Sequence, residues 1–173
     1  MRTSLTFLTL LAPRVVRYGI PPMKVDPRFA TFPLLIRSSA IDRRSVFAET
    51  SIPARRKVVE YTGEKITFRR ALLRIRRILF GKSRRSRRLY IARINRSYVI
   101  DGGVGGSGAK FINHSCDPNL SLRKSKGRIY FYSKRPIRKG QELTVDYRFS
   151  PTTNPIVCHC GSTNCRGTIN RPE

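Results

Sequence analysis

The chain has 173 residues and a mass of 19.8 kDa, which is room for one domain and little else. With 39% hydrophobic residues it can bury a modest core, so wholesale disorder is excluded, and no apolar run approaches the ~18 residues of a membrane-spanning helix. Lys and Arg number 36 against 10 Asp and Glu, a formal net charge of +26; this predicts attraction to polyanions that weakens with salt, and says nothing about fold.

Residues 1–33 contain Pro13, Pro21, Pro22, Pro27 and Pro33. Such a segment suits neither a helix nor a central strand and is expected to form an extended arm, partly ordered at best. The start, MRTSLTFLTLLAP, offers one arginine and a short apolar stretch from Leu5 to Ala12, thin for a secretory signal. Met23 is an alternative start, and an intracellular setting is expected in place of secretion. Core-like patterning begins near Leu34-Leu35-Ile36 and continues in Val46-Phe47-Ala48, Val58-Val59-Glu60-Tyr61, Tyr98-Val99-Ile100, Ile129-Tyr130-Phe131-Tyr132 and Leu143-Thr144-Val145. Pro53, Gly63, Gly102-Gly103, Gly127 and Lys139-Gly140 punctuate these short runs. The pattern predicts a mainly β domain with a few short helices.

One segment breaks that pattern. Phe68, Ala71, Leu72, Ile75, Ile78 and Leu79 recur at helical spacing, predicting an amphipathic helix that ends near Gly81. Its other face carries Arg69, Arg70, Arg74, Arg76 and Arg77, and the basic run continues through Lys82, Arg84, Arg85, Arg87, Arg88, Arg93 and Arg96. No acidic residue interrupts positions 69–96. Residues 67–96 therefore read as an Arg-rich helical insert, for which nucleic acid or an acidic partner is one expectation and a solvated helix face the plainer one.

Two blocks concentrate polar chemistry. Lys110–Leu120 sets Asn113, His114 and Asn119 beside the apolar pair Phe111-Ile112, after a glycine-rich run at 102–108. That run permits close backbone approach to a ligand, but it lacks the phosphate-loop pattern. Glu142–Tyr147 is the second block. Taken singly, His114 fits a structural histidine and Tyr147 a half-buried packing residue. Of the four cysteines, Cys158, Cys160 and Cys165 lie within eight residues and Cys116 stands apart. One residue between Cys158 and Cys160 is poor spacing for a disulfide. Three thiolates on a tight loop with a fourth from elsewhere suit tetrahedral zinc, with disulfides or free thiols as alternatives. His159 offers a substitute ligand, although four thiolates already close such a site.

In order, FINHSCDPN, ELTVDY and the tail CHCGSTNCRG resemble the SET-domain protein lysine methyltransferases with a post-SET zinc motif. Val58–Glu64, VVEYTGE, is similar to that family's EYxGE segment, and the resemblance runs from about Ile36 to Thr168. It implies a β-rich, β-clip-like SET fold over 34–149, with FINHSC and ELTVDY in a knot-like crossing, and a post-SET zinc loop over 154–170. It implies S-adenosylmethionine as methyl donor and a lysine ε-amine of a protein substrate as acceptor, entering from opposite faces. Carried over residue by residue, Tyr147 and Tyr61 match catalytic tyrosines. Asn113, His114, Tyr90, Arg44, Ser45, Val46 and again Tyr147 match cofactor-binding positions. Cys116, Cys158, Cys160 and Cys165 match the ligands of a structural zinc.

One departure stands out. The family's Gly-x-Gly turn before its first Phe-Ala is here Arg43-Arg44-Ser45. Arg43 adds bulk where the backbone favours glycine, and demands a disfavoured φ. The first reading is a lysine methyltransferase acting on a histone or another nucleic-acid-associated basic protein, cytoplasmic or chromatin-bound and monomeric. The second is a catalytically weak or inactive SET-like module that binds nucleic acid through the Arg-rich insert. A basic enzyme and a basic tail repel, which favours a substrate already associated with nucleic acid.

Overall fold

The structure, a computed structural model, describes residues 23–80, 88–151 and 153–172. In chain order the elements are β1 (Met23–Lys24), β2 (Leu34–Ser38), β3 (Arg44–Ala48), β4 (Lys57–Tyr61), β5 (Glu64–Thr67), α1 (Phe68–Phe80), β6 (Ile91–Arg93), β7 (Tyr98–Asp101), β8 (Asn113–His114), β9 (Leu120–Ser125), β10 (Arg128–Ser133) and β11 (Thr144–Val145). Single 3-10 turns occupy Pro27–Phe29 and Ala109–Phe111. The strands form three antiparallel sheets, ordered β1-β2-β3, β4-β10-β9 and β5-β7-β6, and one parallel pair, β8 with β11.

Alternation explains which faces meet. On β10, Ile129, Phe131 and Ser133 are buried while Arg128, Tyr130 and Tyr132 turn outward. Val46, Val58, Val59, Ile129 and Leu143 are fully buried, so β3, β4, β10 and the approach to β11 share one core. The two blocks expected to cross lie side by side: Thr144 is paired with Asn113 and Val145 with His114.

Residues 1–22 of the expected arm lie outside the described residues. The remainder, 23–33, does not trail free. β1 pairs with β2, Val25 is buried in the core, and the Asp26 and Thr31 N–H groups donate to Ser107 O and Val58 O. Prolines here shape a docked connection.

Within the Arg-rich insert the described helix covers Phe68–Phe80. Thr67 caps α1, its Oγ1 accepting from the Arg70 N–H, and the helix runs as far as Phe80. Lys82, Arg84, Arg85 and Arg87 lie outside the described residues, while 91–93 forms β6 and joins a sheet. The expected apolar stripe packs at its start: Ala71 is fully buried against Ile66, Val99, Phe68 and Ile91. Leu72, at 49%, and Leu79, at 38%, remain exposed. A 13-residue helix is about 20 Å long, whereas the four-residue β7 beneath it spans about 13 Å, so the sheet cannot cover the last turns.

Candidate active site and metal centre

The parallel pair β8–β11 organises the site, and two asparagines hold it. Asn119 donates through Nδ2 to Glu142 O at 2.8 Å and accepts at Oδ1 from the Thr144 N–H at 2.9 Å, which fixes the entry into β11. Asn113 Nδ2 lies 3.2–3.3 Å from the carbonyls of Asp42 and Arg44, from Ser39 Oγ and from Glu142 Oε1. Ser39 Oγ in turn donates to the Glu142 carboxylate at 2.9 Å. A buried asparagine, a serine and a carboxylate thus clamp the loop 39–44 onto β8.

His114 links this loop to the cysteines. Its Nδ1 accepts from the Tyr147 N–H at 3.1 Å, so in the neutral ring Nε2 carries the proton. Nε2 faces Cys116 Sγ at 3.5 Å. Burial holds His114 below its usual range, which keeps it neutral near pH 7. Its donor thus points at the sulfur and its acceptor at the backbone.

The four sulfurs of Cys116, Cys158, Cys160 and Cys165 lie within 4.8 Å of one another. Cys116 Sγ is 3.7 Å from Cys158 Sγ and 4.0 Å from Cys165 Sγ. A disulfide needs ~2.05 Å, whereas tetrahedral zinc with ~2.3 Å bonds sets sulfurs about 3.8 Å apart. The donor set therefore fits zinc, and His159 stands outside it. Backbone N–H groups of Arg166 and Gly167 donate to Cys116 and Cys165 sulfurs at 3.4 Å, as thiolates require. Burial raises the Cys116 and Cys158 thiols, while at Cys160 hydrogen bonds from backbone and from Ser162 outweigh burial. Arg166 also forks onto Asp146 at 3.0 and 3.1 Å. Burial pushes the Asp146 carboxyl up, but Arg166 outweighs it and holds the group below the usual carboxylate range.

Between this tail and β8 lies a cavity of about 390 Å³. Asp42, Asn113, His114 and Tyr147 from the core and Ile156, Val157, His159 and Ile169 from the tail line it. Polar and apolar groups around one cavity suit a ligand with a charged end and a flat ring, as S-adenosylmethionine has. Tyr147 donates from Oη to Ile112 O at 2.9 Å, and its ring contacts His114 and stacks on Phe149. Although 39% of the residue is exposed, its hydroxyl end is desolvated, which raises the phenol well above its ordinary value, with Asp42 and Tyr90 adding to the shift. Tyr61, buried, donates to Tyr90 O at 2.6 Å, and burial followed by the neighbouring Tyr147 and Asp101 raises its phenol likewise.

The remaining expected positions spread around this core. Tyr90 does not line the cavity; its carbonyl positions Tyr61 and its ring packs edge-on against Phe111. Arg44 offers its carbonyl to Asn113, while Ser45 and Val46 are fully buried in β3. Ser45 Oγ has no hydrogen-bond partner among the described residues. The glycine run approaches the chain itself: a Cβ on Gly102 would lie 2.6 Å from Tyr61 Oη, so glycine is what lets that phenol sit there.

Arg43 does adopt a positive φ, +38°. A non-glycine residue there costs ~1–2 kcal/mol, against ~0.5–1 kcal/mol of chain entropy that glycine loses. Arg43→Gly is expected to raise the melting temperature by about 3 °C and to tighten binding at the 39–44 loop. A lower melting temperature would refute the strain.

Sequence reading missed how much of the basic run is spent internally. Arg74 pairs with Glu64 at 2.8 Å and with the buried Asp101 at 2.5 Å; Arg88 forks onto Asp42 at 2.7 and 2.8 Å. Arg93 lies 4.2 Å over the Phe68 ring. Arg69, Arg76 and Arg77 remain exposed. Asp42, Ser39 and Arg166 were also missed, because their roles depend on partners distant in sequence.

Residues 43–148 match the SET domain. Over 148 residues, 80% of this chain, it is 38% identical to "Histone-lysine N-methyltransferase, H3 lysine-4 specific" of Emericella nidulans, of which it covers 12%. The protein of the same name in Saccharomyces cerevisiae is 36% identical over 148 residues, 80% of this chain and 13% of that one. "Histone-lysine N-methyltransferase SETD1A" of Homo sapiens is 36% identical over 139 residues, 76% of this chain and 8% of that one. The chain thus spans 8–13% of the length of these three relatives. The match over 43–148, joined to this identity across most of the sequence, shows that the chain belongs to the SET domain family.

Proposed function

We propose that this chain transfers a methyl group from S-adenosylmethionine to a lysine ε-amine in a histone or a comparable nucleic-acid-associated protein. The observation that carries this reading is the placement of Tyr147: it lines the 390 Å³ cavity with Asn113 and His114, while its hydroxyl is fixed on Ile112 O at 2.9 Å. Bound S-adenosylmethionine supplies an electrophilic methyl on a sulfonium. Asn113 holds the loop that shapes one part of the cavity, to which Asp42 contributes a carboxylate paired with Arg88. Ile156, Val157, Ile169 and His159 would cover the flat end of that ligand. Tyr61 and Tyr147 keep water from the amine and orient its lone pair through their hydroxyls. An amine with a reference pKa near ~10.4 must arrive neutral, and desolvation between two neutral phenols favours that form. Cys116, Cys158, Cys160 and Cys165 would hold a zinc that fixes the tail, and four thiolates would leave it no open position for chemistry.

The relatives' names point to histone H3 lysine 4 as the first substrate to offer, and to chromatin as the setting. No described helix is long and apolar enough to cross a membrane. The test offers labelled S-adenosylmethionine with histone H3, H3 with that lysine replaced, and ribosomal proteins. Label on a lysine supports the reading; absence of label with the cofactor unbound supports the inactive module, which the strained Arg43 favours.

The phenols also set a pH dependence. Ordinary tyrosines ionise near pH ~10, but burial raises Tyr61 and Tyr147 above that, so both stay protonated while the substrate amine loses its proton. The rate is expected to rise with pH up to about 10 with no falling limb. A fall beginning near pH 9, with the fold intact by circular dichroism, would contradict it.

A further inference from the structure

The sheet β4-β10-β9 has a second face that methyl transfer does not use. Its inner face carries Ile129 and Phe131, with Tyr61 paired to Ile129. On the outer face Tyr130 and Tyr132 stand two residues apart, half-buried, with Arg123 directly across from Tyr130 on β9. Cations crowd these rings. Lys57 Nζ lies 4.5 Å over Tyr130, Arg128 Cζ 6.0 Å from the same ring, and Arg123 Cζ 4.4 Å over Tyr132.

The charge on this side is of one sign. Positions 118–141 contain no Asp or Glu, but they hold Arg123, Lys124, Lys126, Arg128, Lys134, Arg135, Arg138 and Lys139. Glu60, the carboxylate on the outer face, is buried and taken by Arg128 at 2.8 Å. Arg123, Lys124 and Lys126 are exposed and form no ion pair among the described residues.

We propose that the outer face of β4-β10-β9 binds single-stranded nucleic acid, with bases stacking on Tyr130 and Tyr132 and phosphates paired by Lys57 and Arg123. The surface combines an open antiparallel sheet, outward aromatics on its middle strand and long cationic side chains around them. That combination suits unpaired bases with a phosphate backbone. Side chains two apart on a strand are spaced by about 6.6 Å. An extended single strand can span that gap, whereas stacked duplex bases rise only ~3.4 Å per step and keep their faces covered. Exposed cation–π pairs are weak, so Arg123 and Lys57 can leave the rings for phosphate and yield them to bases. An acidic peptide would satisfy the charges but would leave the tyrosines without a stacking partner. The site lies on the sheet face opposite Tyr61 and is separate from the Arg-rich helix, so it is independent of the methyl-transfer reading.

Fluorescence anisotropy of the full chain tests this, using labelled oligothymidylate and oligouridylate of about 15 nucleotides, the matching duplex, and polyglutamate as competitor. The double substitution Tyr130→Ala with Tyr132→Ala is expected to weaken single-strand binding about tenfold or more, and Tyr130→Phe with Tyr132→Phe to preserve it. Arg123→Gln should lower the salt dependence by about 0.7 in the log–log slope. Arg69→Gln with Arg76→Gln on α1 should leave the preference for single strands unchanged. Photocrosslinking of the unaltered chain should label Tyr130 or Tyr132, which decides the matter if the alanine pair fails to fold. A preference between the two oligonucleotides identifies the source as DNA or RNA. Equal affinity for duplex, full displacement by polyglutamate at equal charge, or crosslinks confined to α1 would overturn the proposal.

Discussion

Tyr147→Phe is expected to lower methyl transfer about a hundredfold while cofactor binding and fold persist. The substitution removes one oxygen and little else. The ring keeps its contacts with His114 and Phe149, and the Tyr147 N–H still donates to His114 Nδ1. Lost is the Oη bond to Ile112 O, which ties the phenol to the chain segment that enters β8. The stability cost is about 1 kcal/mol, since the buried Ile112 carbonyl loses its side-chain donor. The rate cost is larger because in-line transfer tolerates little misplacement: an error of about 1 Å at the reacting centre can cost ~10²-fold. Calorimetry should report a dissociation constant for S-adenosylmethionine within about twofold of the parent, and single-turnover transfer should fall. Undiminished transfer would remove Tyr147 from the reaction. Parallel loss of cofactor binding would make its role a packing one.

What could be read from residues alone follows from how local the causes are. Tyr61, Asn113, His114, Tyr147 and the four cysteines sit in short ordered blocks, and side-chain chemistry marks each block before any contact is known. β2, β3, β4, β7 and β10 are legible as β-branched or aromatic runs between turns. β9 was not, because LSLRKS is polar and gains its strand character from register with β10, where Leu122 faces Phe131. The same limit hid the fate of the charges. Arg74 and Arg88 read as members of a solvated run, yet each reaches a carboxylate 27 or 46 residues away. The glycine run read as a ligand cradle because only the fold shows Tyr61 standing over Gly102. The departure at Arg43 was legible, since the conformation follows from the turn that glycine ordinarily makes, and φ is +38°.

Cys158→Ser is expected to release the tail and abolish both cofactor binding and methyl transfer, while leaving the SET core folded. Residues 153–172 contribute almost nothing to the hydrophobic core. Ile156 is 47% exposed and Val157 65%, and Asn170 is the buried residue among those described there. The tail is held by the Arg166–Asp146 fork, by hydrogen bonds from Asn170 Nδ2 to Ser150 O and from the Arg171 N–H to Phe149 O, and by the sulfur cluster. This ion pair, its side chains 24% and 23% exposed, supplies about 1–3 kcal/mol, too little against roughly 1–2 kcal/mol of backbone entropy for each ordered residue. Structural zinc binding is worth far more, on the order of 10 kcal/mol at neutral pH, so a zinc held by the four cysteines would decide whether the tail docks. Five cavity-lining positions, Ile156, Val157, Cys158, His159 and Ile169, leave with it. The core retains β3, β4 and β10 and should keep its main thermal transition. Elemental analysis should find one zinc per chain in the parent and a loss in the variant, and proteolysis should clip the variant after residue 148 or so. Strong chelation of the parent should reproduce both effects, and zinc should reverse them. Retention of cofactor binding after complete zinc removal would show that the tail docks without the metal, and the cavity would then owe its apolar lining to packing instead.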